Sequence, residues 1–259
     1  MNRISSILVL ALMSLLVSCK VPKSMAWVVS TIAGSGTAGH EDATGTAGKF
    51  NGPTEVTVDS SGNIYVADAN NSRIRKITTA NRIEDRVVST FAGSTEGFAD
   101  GAGSTAQFHY PTGVAMDSEG NVYVADRENH RIRKITPAGV VSTFAGSTEG
   151  FADGTGTEAQ FNLPYGVAVD AFGNVYVADA HNHCIRKITP AGVVSTIAGS
   201  GTKGFADGSG AEAQFDHPHG VAVDSSDNVY VADTGNHRIR QIEYKVPWAL
   251  ARQSGSSVS

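Results

Sequence analysis

The sequence predicts an all-β fold in which four copies of one unit lie side by side. Nearly identical segments begin at Val87, Val140 and Val193, so these copies are 53 residues apart. The first copy begins at Val28 and is 59 residues long. Each copy holds short apolar segments separated by Gly, Pro and Asp, a pattern typical of strands and turns. A fixed period above about 40 residues with several short strands indicates an array or a propeller.

The composition agrees with a folded domain and excludes some classes of protein. The chain has 259 residues, of which 41% are hydrophobic and 17% charged, enough apolar material for a sizeable core. Its 29 glycines follow no Gly-X-Y period, which excludes collagen. The formal net charge of −5 gives no general attraction for nucleic acid, so we expect no nucleic-acid partner.

Each copy is expected to form four strands. From the copy that begins at Val87 we predict strands at residues 112–117, 121–125 and 131–136, followed by a fourth at residues 140–145, where the next copy begins. A Ser-Glu-Gly turn follows the first of these strands, and a Pro-Ala-Gly turn precedes the last. In the second strand valines point to one face, and tyrosine and alanine to the other. Because both faces are apolar, each sheet is expected to pack between two neighbours.

Three motifs recur in nearly the same form in the second, third and fourth copies: P-x-G-V-A-x-D, N-V-Y-V-A-D and N-H-R-I-R-K-I. The first copy departs from them, for example at Glu55 and Ser72. The motifs resemble the NHL repeat, a class of β-propeller, and the resemblance covers Val28 to about Ile242. It implies a propeller domain over residues 28–244, and it is far more specific for the fold than for an activity.

The resemblance and the number of copies together predict a β-propeller of four four-stranded blades. Residues 28–33 form a single leading strand, and residues 220–242 form three strands without a fourth. Pairing of the N-terminal strand with the last three strands would close the ring and remove an exposed edge. We therefore expect a closed, monomeric ring. The alternatives are an open arc, or two chains that share one ring.

Residues 1–18 have the form of a secretory signal peptide. Arg3 precedes an apolar run from Ile4 to Leu16, which is too short to cross a bilayer as a helix. The Leu-Val-Ser-Cys sequence that ends at Cys19 resembles the lipobox of bacterial lipoproteins. This resemblance implies lipidation of Cys19 and a stable anchor in the cell envelope. The alternative is an ordinary signal peptide with a chance cysteine.

Two short segments flank the predicted propeller. Residues 19–27 would form a lipidated tether, and the Ser-rich residues 245–259 are expected to be a disordered tail. Lys20 follows the cysteine and does not resemble the aspartate that retains some lipoproteins on the inner membrane. The expected location is therefore the outer membrane of the cell envelope.

The candidate ligand-binding residues lie where the long loops end. Connections between strands alternate between two faces of a propeller, and the long loops reach only one of them. Long loops on a rigid scaffold are where binding residues usually lie. The copies differ most at the end of these loops, at Glu55, His109, Tyr110, Tyr165, Asp216, His217 and His219. Their side chains suit a polar ligand or a metal such as zinc or calcium. The alternative is drift in tolerant loop positions.

Other recurring polar residues are expected to serve the scaffold. His130, His183 and His237 occupy matching turns, and we expect them to be too far apart to share one metal ion. The aspartates that precede these turns, among them Asp126, are expected to cap them through local hydrogen bonds. Cys184 is the remaining thiol if Cys19 is lipidated, so no disulfide within the mature chain is expected.

Arg-Lys pairs recur on the third strands of the first three copies. They begin at Arg75, Arg133 and Arg186. We predict that they are solvated charges at the outer side of each blade and do not form a nucleic-acid site.

Two functional classes remain open from the sequence. The favoured one is a membrane-anchored, non-catalytic scaffold that binds a protein, peptide or glycan on its long-loop face. The alternative is a metal-dependent lactonase, hydrolase or lyase, because related propellers hold a metal at the channel mouth with carboxylates and amides. Here only Asn51, Glu55, Asn162 and Asp216 approach such a set. The chain has no G-x-S-x-G elbow, no H-E-x-x-H motif and no P-loop.

Overall fold

The computed structural model describes residues 27–244. The chain divides into a unit that ends at Ser30 and a compact unit that begins at Thr31. Residues 27–30, the described part of the first unit, have no regular secondary structure, and their side chains are exposed. Between residues 27 and 244 there are strands and short 3-10 turns but no α-helix, and no helix is long and apolar enough to cross a membrane.

The unit that begins at Thr31 contains four antiparallel sheets, one from each sequence copy. The strands of the first sheet are β1 (Ala43–Thr44), β2 (Pro53–Val58), β3 (Ile64–Asp68), β4 (Arg73–Ile77) and β5 (Val87–Ala92). Those of the second are β6 (Gly101–Ala102), β7 (Pro111–Met116), β8 (Val122–Asp126), β9 (Arg131–Ile135) and β10 (Val140–Ala145). Those of the third are β11 (Gly154–Thr155), β12 (Pro164–Val169), β13 (Val175–Asp179), β14 (Cys184–Ile188) and β15 (Val193–Ala198). Those of the fourth are β16 (Pro218–Val223), β17 (Val229–Asp233) and β18 (Arg238–Ile242).

Single-turn 3-10 helices lie in the connections. They are η1 (Gly45–Ala47), η2 (Ala69–Asn71), η3 (Ile83–Asp85), η4 (Arg127–Asn129), η5 (Gly156–Glu158), η6 (Ala180–Asn182) and η7 (Thr234–Asn236). Those that follow β3, β8, β13 and β17 end at Ser72, His130, His183 and His237, which adopt left-handed backbone angles with φ of 51°, 55°, 50° and 55°. This conformation directs the chain into the next strand.

The strands predicted at residues 112–117, 121–125, 131–136 and 140–145 are confirmed as β7, β8, β9 and β10, and the first three sheets contain one strand more than expected. Each long loop contributes a two-residue strand that pairs with the outermost strand, as Gly154 and Thr155 do with Val194 and Val193. The loop therefore continues the sheet at its outer edge, which satisfies backbone groups that would otherwise be unpaired. The predicted four-stranded blade is thus corrected to five strands in the first three sheets.

The hydrophobic core lies between successive sheets. In the core between the second and third sheets, Tyr123 and Ile132 of one pack with Phe161, Val167 and Val177 of the other. The strands that directly follow the long loops also pack together from one sheet to the next, β2 on β7, β7 on β12 and β12 on β16. Both faces of an inner sheet are therefore buried, as the apolar pattern predicts. The fold is an all-β propeller of four blades.

The arginine of each predicted Arg-Lys pair is buried, which corrects the expectation of solvated edge charges. Arg75, Arg133 and Arg186 are completely buried in the first three blades. Arg133 donates to Asp126 and Asp100 and to the backbone oxygens of Gln107 and Ala99. The guanidinium group has five donors in a fixed plane, so it can bind the loop at several points at once. Arginine therefore holds each long loop against its own blade.

The predicted pairing of residues 28–33 with the last three strands is wrong in its detail. Residues 28–33 do not form a strand, and the fourth sheet has three strands among residues 31–244. Tyr230 is 37% exposed where the equivalent Tyr176 is 3% exposed, and Ile239 is 76% exposed where Ile185 is fully buried. Successive blades are joined by packing of neighbouring faces, and the first blade does not supply such a face to the fourth.

Several predicted segments lie outside the described residues. These are the signal peptide at residues 1–18, the lipidation site Cys19, residues 20–26 of the tether and the tail at 245–259.

Candidate functional site

Four histidines, Tyr165 and Asp216 lie together where the third and fourth blades meet. Tyr165 is on β12 and His219 is on β16. His181 lies in the turn η6, and His183 is the left-handed residue that ends this turn. Asp216 and His217 end the long loop before β16. We call these six residues, which come from two blades, the histidine cluster.

The loop ends and the turns share one face, as the sequence predicts. The backbone N–H of His181 donates to the backbone oxygen of Asn162 at 3.1 Å, so the turn of the third blade contacts the end of its own long loop. The corresponding bond in the fourth blade joins Gly235 to Asp216 at 2.7 Å. The histidine cluster therefore lies on the long-loop face.

Ring contacts hold the cluster together. The rings of Tyr165 and His219 stack with centroids 4.2 Å apart and an angle of 8° between their planes. His217 meets His181 and His183 edge to face, with centroids 4.9 and 4.7 Å apart. The three imidazoles and the stacked pair bury part of each other and leave part of each side chain open to solvent. The result is a partly exposed aromatic surface with nitrogen donors and acceptors.

Hydrogen bonds determine which imidazole nitrogens remain available. Nδ1 of His217 lies 2.5 Å from Oδ1 of Asp216, and Nζ of Lys203 lies 3.3 Å from the same oxygen. The carboxylate accepts, so Nδ1 of His217 carries the proton in this pair. Nδ1 of His183 accepts a hydrogen bond from the backbone N–H of His217 at 3.2 Å. The neutral His183 ring must then carry its proton on Nε2.

The surroundings favour neutral imidazoles and an ionised Asp216. Burial lowers the pKa values of His181, His183 and His219, and the nearby His217 lowers them further. Burial alone would raise the pKa of Asp216, but hydrogen bonds from His217 and Lys203 outweigh it, and the pKa is lowered. At neutral pH His181, His183 and His219 are thus uncharged rings beside one carboxylate.

The cluster does not fit a preformed metal site. His183, Asp216 and His217 each have a potential ligand atom within 4.8 Å of the others. A histidine that binds a metal usually donates its second nitrogen to an oxygen acceptor, whereas Nδ1 of His183 accepts from a backbone N–H. Lys203 also places an ammonium group beside Asp216. Metal binding would require both contacts to change.

Glu55 joins two blades and does not belong to the cluster. Its Oε2 accepts a hydrogen bond from the backbone N–H of Val114, at 3.0 Å, in the next blade. Burial raises the pKa of this carboxyl to about 7, although the bond from Val114 opposes the rise. The equivalent position in the next two blades is glycine, at Gly113 and Gly166. A side chain there would meet the backbone of the following blade.

His109 and Tyr110 make their contacts within the second blade. Nε2 of His109 lies 3.2 Å from Oε1 of Glu96 in the long loop, and its backbone N–H donates to Asp126 at 2.8 Å. The guanidinium of Arg127 lies over the Tyr110 ring, 5.5 Å from its centroid. Of the seven predicted site residues, the structure brings together four: Tyr165, Asp216, His217 and His219.

Two of the three matching turn histidines, His130 and His183, connect neighbouring blades. Nδ1 of His130 accepts the backbone N–H of Leu163 at 3.3 Å, just as His183 accepts that of His217. Each bond joins one blade to the next. The predicted capping of the turn by the preceding aspartate is wrong in its detail, because the Asp126 side chain makes no cap hydrogen bond to the turn backbone. It accepts instead from the side chains of Asn129 and Arg133 and from the backbone N–H of His109.

Three contributors to the site were not among the predicted residues: His181, His183 and Lys203. His181 occupies a turn position where the other copies have Asn70, Glu128 and Gly235, and this variation was the available signal. Cys184, on β14, is buried, and burial raises the pKa of its thiol well above the usual value. It therefore has no thiolate character of the kind that a redox or nucleophilic role needs.

The family model for the NHL repeat matches residues 50–77, 108–135, 161–188 and 215–242. The chain carries four NHL repeats. Over 83% of its length it is 30% identical to protein SUPPRESSOR OF QUENCHING 1, chloroplastic, of Arabidopsis thaliana and 29% identical to human NHL repeat-containing protein 2. It covers 22% and 34% of these proteins, so the chain spans about a fifth and a third of the length of these relatives.

Solved structures share the NHL-type propeller fold. An auxiliary nutrient binding protein from Bacteroides thetaiotaomicron is 24% identical with a TM-score of 0.59, over 77% of this chain and 49% of that one. A gluconolactonase from Xanthomonas campestris is 15% identical with a TM-score of 0.53, over 79% of this chain and 60% of that one. At these identities the likeness extends to the fold and not to the activity.

Proposed function

We propose that this NHL-repeat propeller is a lipid-anchored, non-catalytic scaffold that binds a protein, peptide or glycan on its long-loop face. The observation that carries the proposal is the histidine cluster, the place where candidate residues from different blades converge. The nutrient-binding protein with the same fold supports a binding role by analogy.

The chemistry of the cluster suits an uncharged polar ligand. Lowered pKa values keep His181, His183 and His219 neutral near pH 7, so each ring has one donor and one acceptor nitrogen. The stacked Tyr165–His219 pair adds aromatic surface, which is enriched in binding sites for peptides and other ligands. Asp216 can accept hydrogen bonds from hydroxyl or amide groups.

The test compares ligand capture by the wild-type protein and by a variant of the cluster. Envelope extract and a glycan array are the two sources of ligand, and the change is Tyr165→Ala with His219→Ala. The matched control is His237→Ala, at the turn position equivalent to His183 but not a member of the histidine cluster. We expect at least tenfold weaker capture with the double variant and no change with the control. Equal capture by all three proteins would refute the proposed site.

A metal-dependent enzyme is the second candidate, favoured by the spacing of His183, Asp216 and His217. Glu55, one of the carboxylates named from the sequence as a candidate, is bound to the neighbouring blade, so His217 is the better residue to change. The purified protein is dialysed against a stoichiometric amount of zinc and its metal content is measured. One retained ion that is lost in His217→Ala would establish a metal site, whereas equal low retention by both favours the scaffold.

The proposed anchor is tested independently through Cys19. Wild-type protein should partition into the membrane fraction, and Cys19→Ser should be released in soluble or unprocessed form because it lacks the acylated thiol. Cys184→Ser is the matched control, since this thiol is buried in the propeller. If Cys19→Ser stays in the membrane fraction with the processed mass of the wild-type protein, the lipid anchor is excluded.

A further inference from the structure

The fourth blade has an uncovered edge at β18. In the third blade, β15 pairs with the outer side of β14, and Ile185 and Ile188 on β14 are fully buried. In the fourth blade, the equivalent Ile239 is 76% exposed, and among residues 31–244 no strand pairs with the outer side of β18. A groove of about 1070 Å³ runs beside this edge, with Ile197, Phe215 and Ile242 among its lining residues.

A polar contact at this edge is also incomplete. In the first three blades the aspartate of the long loop binds the buried arginine and a threonine of the outermost strand. Asp153 accepts from Nη2 of Arg186 at 2.7 Å and from the backbone N–H and hydroxyl of Thr196. In the fourth blade Asp207 accepts from Arg240. Among residues 27–244, no threonine donates to Asp207 as Thr196 does to Asp153. The groove therefore lacks an apolar strand with a threonine at a defined position.

The chain contains a segment with this sequence. Residues 28–37 read VVSTIAGSGT, which is identical to residues 193–202. Residues 193–198 form β15, the outermost strand of the third blade. By alignment, Thr31 corresponds to Thr196, and Val29 corresponds to Val194, which is buried on β15. Gly34 already has φ of 100°, close to 107° at the equivalent Gly199.

The exposed faces of the first and fourth blades are complementary to each other, like the faces that meet between inner blades. At inner boundaries, the tyrosine and isoleucine of one blade pack against valines of the next, as Tyr123 and Ile132 do against Val167 and Val177. The fourth blade leaves Tyr230 and Ile239 exposed, and the first blade leaves Val56 exposed, at 59%. Each uncovered face is the counterpart of the other.

We infer that two copies of this chain associate head to tail. Residues 28–33 of one copy add to β18 of the other as the missing outer strand, and the first blade of the former packs on the fourth blade of the latter. A second copy is the occupant because the end blades of one chain leave their own faces uncovered, with Val56 of the first blade and Tyr230 and Ile239 of the fourth exposed. The contact joins two different surfaces, so it is heterologous and can close a ring or extend.

Cysteine cross-linking tests the strand pairing and distinguishes two chains from one. Lys187 pairs with Ser195 in the third blade, so the equivalent pair is Gln241 with Ser30. Ser30→Cys and Gln241→Cys proteins are mixed and oxidised mildly, each protein alone being the background control. We expect a disulfide between chains in the mixture. Thr37→Cys replaces Ser30→Cys in the control mixture, because Thr37 lies beyond the pairing segment.

The double variant Ser30→Cys, Gln241→Cys completes this experiment. If its disulfide forms within single chains and the mixture gives none, the segment closes its own ring and the inference is wrong. If neither forms a disulfide, another segment covers β18 and the inference is also wrong.

Mass measurements test the packing of the blades without relying on oxidation. The wild-type protein should have at least twice the 26.9 kDa of a single chain at micromolar concentration. Ile239→Asp should reduce the mass to that of one chain, because the exposed side chain becomes buried only in the assembly. The control is Gln241→Lys, which introduces the lysine found at the equivalent position of the third blade, Lys187, and should leave the mass unchanged. A wild-type mass of one chain at all concentrations would overturn the inference.

Discussion

Nη1 of Arg133 lies 2.6 Å from Oδ2 of Asp126, and both side chains are completely buried. The same pair recurs as Arg75–Asp68 and Arg186–Asp179 in the neighbouring blades, and as Arg240–Asp233 in the fourth. Because the arginine also binds the long loop, this pair connects the sheet, the turn and the loop of each blade. It is the polar centre of a unit whose remaining core is apolar.

Removal of the arginine should therefore destabilise the whole propeller. We expect Arg133→Ala to lower the free energy of unfolding by about 3–5 kcal/mol, because Asp126 is left as an unpaired buried charge. Lys134→Ala, at the next residue of the same strand, should change it by less than about 1 kcal/mol. Urea denaturation measures both. Equal stability of the two variants would contradict the assigned role of the arginine.

Gly166 should be intolerant of a side chain, and Gly220 tolerant. A Cβ at Gly166 would lie 2.3 Å from the backbone oxygen of His219, whereas at Gly220 the nearest atom is the Cβ of Ala232 at 3.4 Å. We expect Gly166→Ala to cost roughly 1–3 kcal/mol, the usual range for overpacking between fixed elements, and Gly220→Ala to cost little. Thermal unfolding of the matched pair tests this. Both changes are made in the Ile239→Asp protein, which is expected to be a single chain, because in the inferred assembly a second copy would cover Gly220. A larger loss at Gly220 than at Gly166 would contradict the packing described here.

Glu55 should make stability depend on pH. Its pKa is raised from about 4.5 to about 7 in the folded protein, so the folded state binds the proton more tightly than the unfolded state. Stability should therefore fall as pH rises from about 4.5 to 7 and then remain level. Glu55→Gln should remove this fall, by roughly 1–3 kcal/mol at pH 8. Denaturation at pH 4 and pH 8 checks the prediction, and an unchanged pH profile in the variant would contradict it.

The contribution of the histidine cluster to stability should change with pH in the direction opposite to that of Glu55. Lowered pKa values at His181, His183 and His219 mean that the folded state binds fewer protons than the unfolded state. Stability from these groups is complete above about pH 6.5 and is lost as pH falls toward their folded pKa values. His219→Phe should retain a stacked ring on Tyr165 and reduce the loss at acidic pH. Histidine titration by NMR provides the direct measurement. Midpoints at or above 6.5 for these three residues would argue against the proposed surroundings.

The sequence was sufficient for the repeated features of the blade. The period of 53 residues, the strands and their turns all follow from local patterns, because alternation and turn residues act over a few positions. The prediction that the arginines are solvated was wrong for a physical reason. A strand pattern shows that Arg133 and Lys134 point to opposite sides, but it does not show that a loop 33 residues away supplies Asp100 as a partner.

The candidate site was predictable in part for the same reason. Variation among copies selected seven residues, and the structure brings four of them, Tyr165, Asp216, His217 and His219, into one cluster, because matching positions on neighbouring blades lie near each other. It could not exclude Glu55, His109 and Tyr110, whose partners are in loops and neighbouring blades.

By itself the sequence determined that this protein is a series of four NHL-type β-sheets with long loops on one face. Only the tertiary structure decided which side chains the blades bring together and which surfaces of the first and last blades stay uncovered. The reason is that each copy encodes its own sheet through local contacts, while packing between sheets depends on which neighbour is present. At the two ends of a repeated chain, that neighbour is not specified by the repeat.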